Sequence, residues 1–288
     1  MNVHQTRRCA LLTILFIFCV GCGPQTPKYD GPIGGSSGTE LAELQHLRKS
    51  NGAEPQTLDP HRAEGVPASN ILRDLFEGLV IEAPDGTLIP GVAESWSMSD
   101  DGRVYEFQIR ESARWSNGDP LTAKDFVYGL RRTVDPQTLS NYSTILSPIE
   151  NAMAIIRGEL PPDELGVAAP DIYLLRITLN DATPYFLGLL THSTTYPLHA
   201  ASVELNGTRF TRAGNLVGNG AYVLDEWVVQ SHMRLKRNSH YWNDAATTVD
   251  NVTYYPLENQ DAALKRYRAD ALDFVTDVPL KQLQWVRD

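Results

Sequence analysis

Strict alternation over residues 104–110 (VYEFQIR) sets Tyr105, Phe107 and Ile109 on one side of an extended chain and Glu106, Gln108 and Arg110 on the other. That is the pattern of a strand with one buried face, because successive side chains of a strand point to opposite sides. Residues 174–179 repeat it with Leu175, Ile177 and Leu179. Further strands are expected at 220–229, 232–237 and 252–255, which are rich in β-branched and aromatic residues. Asp85-Gly86, Asp101-Gly102, Asn117-Gly118, Asn206-Gly207 and Asn219-Gly220 punctuate the chain. At each of these the glycine is expected to take a positive φ, which costs it nothing sterically. Helices interleave with the strands. Ser69 can cap one through Glu77, with Ile71, Leu72, Leu75 and Phe76 in one stripe. Thr122 and Asp125 form a capping box ahead of Phe126, Val127 and Leu130, in a helix expected to end near Arg132. Residues 261–269 make a third. Short strands mixed with capped helices predict an α/β or α+β body with mixed sheets.

The cysteines place the beginning of the chain apart from that body. All three, Cys9, Cys19 and Cys22, fall in the first 22 of 288 residues, so the body can hold neither a disulfide nor a thiolate metal site. Arg7 and Arg8 precede an apolar run at residues 9–20 that is too short to cross a bilayer comfortably, which reads as a secretory leader. The run ends in Cys19-Val20-Gly21-Cys22, which resembles the lipobox of bacterial lipoproteins, so residues 1–21 are expected to be a lipoprotein signal peptide and Cys22 the lipid anchor. Residues 22–43, rich in Gly, Pro and Ser, are expected to be a flexible tether. Within them Gly34-Gly35-Ser36-Ser37-Gly38 fits the outline of a hydrolase nucleophile elbow, but the sequence offers no strand pattern before it and no helix pattern after it, so no catalytic role is expected.

Charge and motif content exclude several functions. The net charge is -10, and removal of the leader takes away two bases and no acids, leaving 23 against 35. Such a surface repels a phosphate backbone, so no nucleic-acid partner is expected. The seven histidines show no spacing that would put two rings on one helix face, and neither GxGxxG nor GxxxxGK[ST] occurs. No metal, no cofactor and no enzymatic activity are expected.

A series of stretches carries a more specific signal. They include Glu54-Pro55-Gln56-Thr57-Leu58-Asp59-Pro60-His61, Asp74-Leu75-Phe76-Glu77-Gly78-Leu79, Pro90-Gly91-Val92-Ala93-Glu94-Ser95-Trp96 and the run from Ala113-Arg114-Trp115 to Asp125-Phe126-Val127-Tyr128. Later come Asn219-Gly220-Ala221-Tyr222, Tyr241-Trp242 and Arg266-Tyr267-Arg268-Ala269. In unbroken order across residues 44–285, the chain resembles the peptide-binding extracellular solute-binding proteins of ABC importers, the family of the oligopeptide-binding and murein-peptide-binding proteins. The resemblance implies a periplasmic-binding-protein-like α/β fold, two-lobed and of type II, that closes over a peptide. It implies that residues 44–76 and 200–288 form lobe I, that 77–199 are an inserted subdomain, and that the second lobe is missing. Short peptides, ABC permease subunits and, through the anchor, a bacterial membrane are the implied partners, in the periplasm or cell envelope. A nickel chelate or a cell-wall peptide as ligand, or a truncated envelope lipoprotein that binds nothing, are the alternatives.

The resemblance also nominates ligand-binding residues. Glu64 and Val66 stand in a segment without apolar periodicity, matching a loop that lines the cleft in the relatives. Tyr142 and His192 align with cleft-facing positions and lie in irregular segments, where scaffold-held loops carry binding residues. Trp96, Trp115 and Phe126 are expected to pack in the core instead, since burying an aromatic contributes about 2–3 kcal/mol wherever it sits.

Overall fold

In the computed structural model, which describes residues 42–284, the alternating run at 104–110 is a strand whose Tyr105, Phe107 and Ile109 are buried. Cys22, the leader, the tether as far as residue 41 and the Gly34 to Gly38 stretch lie outside the described residues. In chain order the elements are β1 (His46–Ser50), α1 (Gly65–Leu75), β2 (Val80–Glu82), β3 (Leu88–Pro90), β4 (Ala93–Met98), β5 (Val104–Ile109), α2 (Ala123–Val134), α3 (Ala152–Ile156), β6 (Val167–Asp171), β7 (Leu174–Thr178), α4 (Phe186–Leu189), α5 (Ala200–Asn206), β8 (Tyr222–Val228), β9 (His232–Arg237), β10 (Asn251–Tyr255) and α6 (Gln260–Arg268).

The strands form two four-stranded sheets and a hairpin. One sheet, ordered β4-β5-β7-β6, is antiparallel and comes wholly from the middle of the chain. The other, β1-β10-β9-β8, joins both ends of the described chain and is mixed, β1 running parallel to β10. β2 and β3 make the hairpin. The amphipathic α2 packs across β6 and β7, burying Phe126 and Leu130, and one continuous apolar cluster runs from Phe107 and Leu175 to Leu235 and Tyr254. Trp115 and Phe126 are core residues, and Trp96 packs half-buried against the core, its ring 6.4 Å from that of Phe107.

Several expectations needed correction. α1 begins at Gly65, not after Ser69, so residues 65–67 are its first turn rather than a loop. No side chain caps it and Pro67 stands in that turn, where a backbone N–H has no helical partner to lose. Val127 is only half-buried, because it faces a groove beside α2 rather than the sheet. Gly86, Gly102, Gly118 and Gly207 take positive φ as expected, but Gly220 does not. Glycine is needed there for close approach: a Cβ on Gly220 would lie 2.5 Å from the carbonyl oxygen of Asp74, and one on Gly218 would lie 2.1 Å from that of Leu75. Between them Asn219 accepts from the Glu77 amide (3.2 Å) and donates to the Glu77 carbonyl (2.8 Å), fastening the end of α1 to the segment that leads into β8.

Candidate ligand-binding site

The loop that leads into α1 is held by a buried polar network. Asp59 is 4% exposed and receives both guanidinium nitrogens of Arg132, from α2, at 2.9 and 2.7 Å. His61, wholly inside, accepts from Arg132 at Nδ1 (3.0 Å) and donates from Nε2 to the carbonyl of Tyr196 (3.0 Å). Such pairing is what a buried charge requires. Arg132 helps hold the Asp59 carboxyl below the usual range against the desolvation that opposes it, while burial pushes His61 down to about 4, so its ring is neutral. Three separate pieces of chain are thereby locked together immediately before residue 64.

Beyond that network Ala63, Gly65, Val66, Ser69, Tyr142, His192 and Ser193 line a cavity of about 240 Å³. Of the residues nominated from sequence, Val66, Tyr142 and His192 therefore meet in one place. Glu64, the N-cap residue of α1, sits beside them and accepts a hydrogen bond from Asn141, the neighbour of Tyr142. Val66 is 71% exposed, unusual for an apolar side chain. The rings of Tyr142 and His192 meet edge to face with centroids 5.1 Å apart, the geometry their quadrupoles favour.

His192 is oriented by its own turn. Its Nδ1 accepts from the amide of Thr194 (3.2 Å) and lies 2.9 Å from the Thr194 hydroxyl, so the proton sits on Nε2. Burial and the charge of Arg73 lower its pKa, keeping it a neutral donor. The cavity thus offers an apolar wall, an aromatic edge, an N–H donor and a nearby carboxylate. It is too small to enclose a whole ligand of ordinary size and suits one portion of it. Ser193 and Asn141 escaped the sequence reading and Ser69 was read only as a helix cap, because a short polar side chain carries no local pattern that marks it as part of a cavity wall. Among the described residues no group of three or more His, Cys, Asp or Glu could hold a metal ion, and no helix is long and apolar enough to cross a membrane.

The model of the bacterial extracellular solute-binding proteins, family 5, matches residues 87–287. The chain belongs to this family. It is 45% identical over 251 residues to the periplasmic oligopeptide-binding protein OppA of Escherichia coli K12, covering 86% of this chain and 46% of OppA. It is 44% identical over 250 residues to the periplasmic murein peptide-binding protein MppA of the same organism, again covering 46% of the relative. Among solved structures, the unliganded open form of the MppA murein tripeptide-binding protein matches at a TM-score of 0.84 over 87% of this chain and 48% of that one. Haemophilus influenzae OppA in complex with the peptide RPPGFSPFR matches at 0.84, with 42% identity, over 86% of this chain and 49% of that one. The chain therefore spans about half the length of the relatives it matches, and the fold is the periplasmic peptide-binding one, α/β with mixed sheets.

Proposed function

We propose that this chain contributes to the capture of short peptides outside the cytoplasm for an ABC importer, and that the residues present here form one wall of the peptide site. The observation that carries this reading is the convergence of Val66, Tyr142 and His192 on one small cavity beside Glu64, above a rigid Asp59–Arg132–His61 network. Residues 44–76 and 200–288 would act as lobe I and 77–199 as an inserted subdomain. A peptide would be gripped through hydrogen bonds to the His192 Nε2 and the Glu64 carboxylate, with a side chain against Val66 and Tyr142. The second wall would come from a segment equivalent to the other half of the relatives' length, and Cys22 would tether the receptor to the envelope. Closing two walls over a ligand excludes water and brings in the remaining contacts.

Calorimetry with tri- to pentapeptides tests the reading. If one wall supplies half of a micromolar interaction of about 8 kcal/mol, the 288-residue chain alone should bind with a dissociation constant on the order of 1 mM. The same chain joined to the remaining half of Escherichia coli OppA should bind in the micromolar range and lose about tenfold with Tyr142→Ala or His192→Ala. Tight binding by both variants of the joined protein would rule out this cavity as the site. For the anchor, Cys22→Ser should move the protein from the membrane fraction to the soluble one in a bacterial host.

A further inference from the structure

Away from that cavity, one face of α2 forms the floor of a groove of about 750 Å³. Lys124, Val127, Tyr128, Arg131, Arg132 and Asp135 recur at helical spacing along it, so the groove follows the helix for nearly its whole length. Arg62 and Thr57 also line it, as do Thr208, Phe210 and Thr211, just beyond α5.

The charge in this groove runs against that of the protein. In a chain of net charge -10, the lining carries four cations, Arg62, Lys124, Arg131 and Arg132, against the two acids Asp59 and Asp135. Both acids are engaged: Asp59 is paired with Arg132, and Asp135 accepts the Gln137 amide at 2.9 Å as a cap. The side chains of Arg62 and Lys124 have no hydrogen-bond or ion-pair partner among the described residues. Arg131 spends one terminal nitrogen on the carbonyl of Asp163 (2.7 Å), while its Nε is buried with no partner at all. An unsatisfied buried guanidinium N–H costs free energy unless something accepts from it.

We infer that this groove is an anion site that takes a phosphate group, carried by a lipid headgroup or by a soluble phosphate ester. Arginine forks and a lysine ammonium are the side chains that hold phosphate oxygens, and the threonine hydroxyls of the rim add neutral donors. The half-buried Val127 offers an apolar patch for the organic part of such a ligand.

Titration calorimetry of the 288-residue protein with sodium phosphate at low ionic strength should give one-site millimolar binding that weakens as sodium chloride is added. Arg62→Glu combined with Lys124→Glu should weaken it at least about tenfold. Both positions are exposed, and a thermal melt checks that the fold survives. The same charge change elsewhere, Lys265→Glu with Lys281→Glu, should leave binding intact. In the wild-type protein, phosphate should also slow acylation of Lys124 by an amine-reactive ester, a readout that needs no substitution. Vesicles of phosphatidylcholine with and without phosphatidylglycerol separate the sources. Retention that requires phosphatidylglycerol and is lost with the double reversal assigns a lipid headgroup, whereas binding of free phosphate alone assigns a soluble ester. Phosphate binding that survives the double reversal, or neither phosphate nor vesicle binding together with unprotected Lys124, overturns the site.

Discussion

Glu77 occupies the corner where the end of α1, the segment before β8 and the β9–β10 connection meet. Its carboxylate accepts from the Tyr241 hydroxyl and from Trp242 Nε1 (2.6 Å), and Arg110 stacks on the Trp242 ring at 3.8 Å. Burial pushes its pKa from 4.5 up to about 7 in spite of those donors. The folded state therefore binds a proton more tightly than the unfolded one does, and stability from this group is full below pH 4.5 and falls as pH rises to about 7. His61 works the other way, since its depressed pKa makes stability fall as pH drops from 6.5 through about 4. Between pH 4.5 and 6.5 the two slopes oppose each other. Removing one should expose the other. In urea titrations, Glu77→Gln should be least stable relative to wild type at acid pH and gain on it by about 1.4 kcal/mol per pH unit up to neutrality. A difference that stays constant with pH would mean that Glu77 is ionised throughout.

At the scale of elements, α2 and the Gly218 to Gly220 segment allow sharp tests. Asp125 accepts from both the Thr122 amide (2.7 Å) and the Thr122 hydroxyl (2.9 Å) in a capping box, so Thr122→Ala, which removes the hydroxyl, should cost about 1 kcal/mol in chemical unfolding. Gly220→Ala should cost more, about 2–3 kcal/mol, because the added methyl meets backbone rather than a side chain that can turn away. An unchanged midpoint for Gly220→Ala would mean that the chain there can shift freely. These two sites also mark what the sequence could reveal. The capping box, the strand at β5 and the limits of β9 were legible because each is encoded within a few neighbouring residues. The reason for Gly220 and the strand β1 were not, since their close contacts lie about 150 to 200 residues away, while β2, β3, β4 and β6 pair with neighbouring segments but are too short, or too rich in proline, small and polar residues, to show an alternating apolar face. The same holds at the ligand cavity. Val66, Tyr142 and His192 were nominated only through likeness to relatives, and nothing local says that their side chains converge.

Taken as a whole, the described chain leaves apolar groups in water near its C-terminal end. Phe274 is 50% exposed, Leu280 83% and Tyr267 42%. Protein beginning at residue 42 should therefore bind a hydrophobic dye and self-associate as its concentration rises, measured by fluorescence and light scattering. A monodisperse, dye-silent monomer would show that these side chains are too dispersed to matter. The mixed sheet has a temporal consequence as well. β1 finds its partner β10 about 200 residues downstream, and residue 274 then bonds along the other side of β1. Closing a loop of that length costs about 2–3 kcal/mol more than closing one of about 10 residues, and contacts so distant in sequence slow folding. While a ribosome is still making the first 250 residues, β1 has nothing to pair with. The antiparallel sheet of the middle can assemble during synthesis, but the sheet that binds the two ends waits for the last strand to emerge.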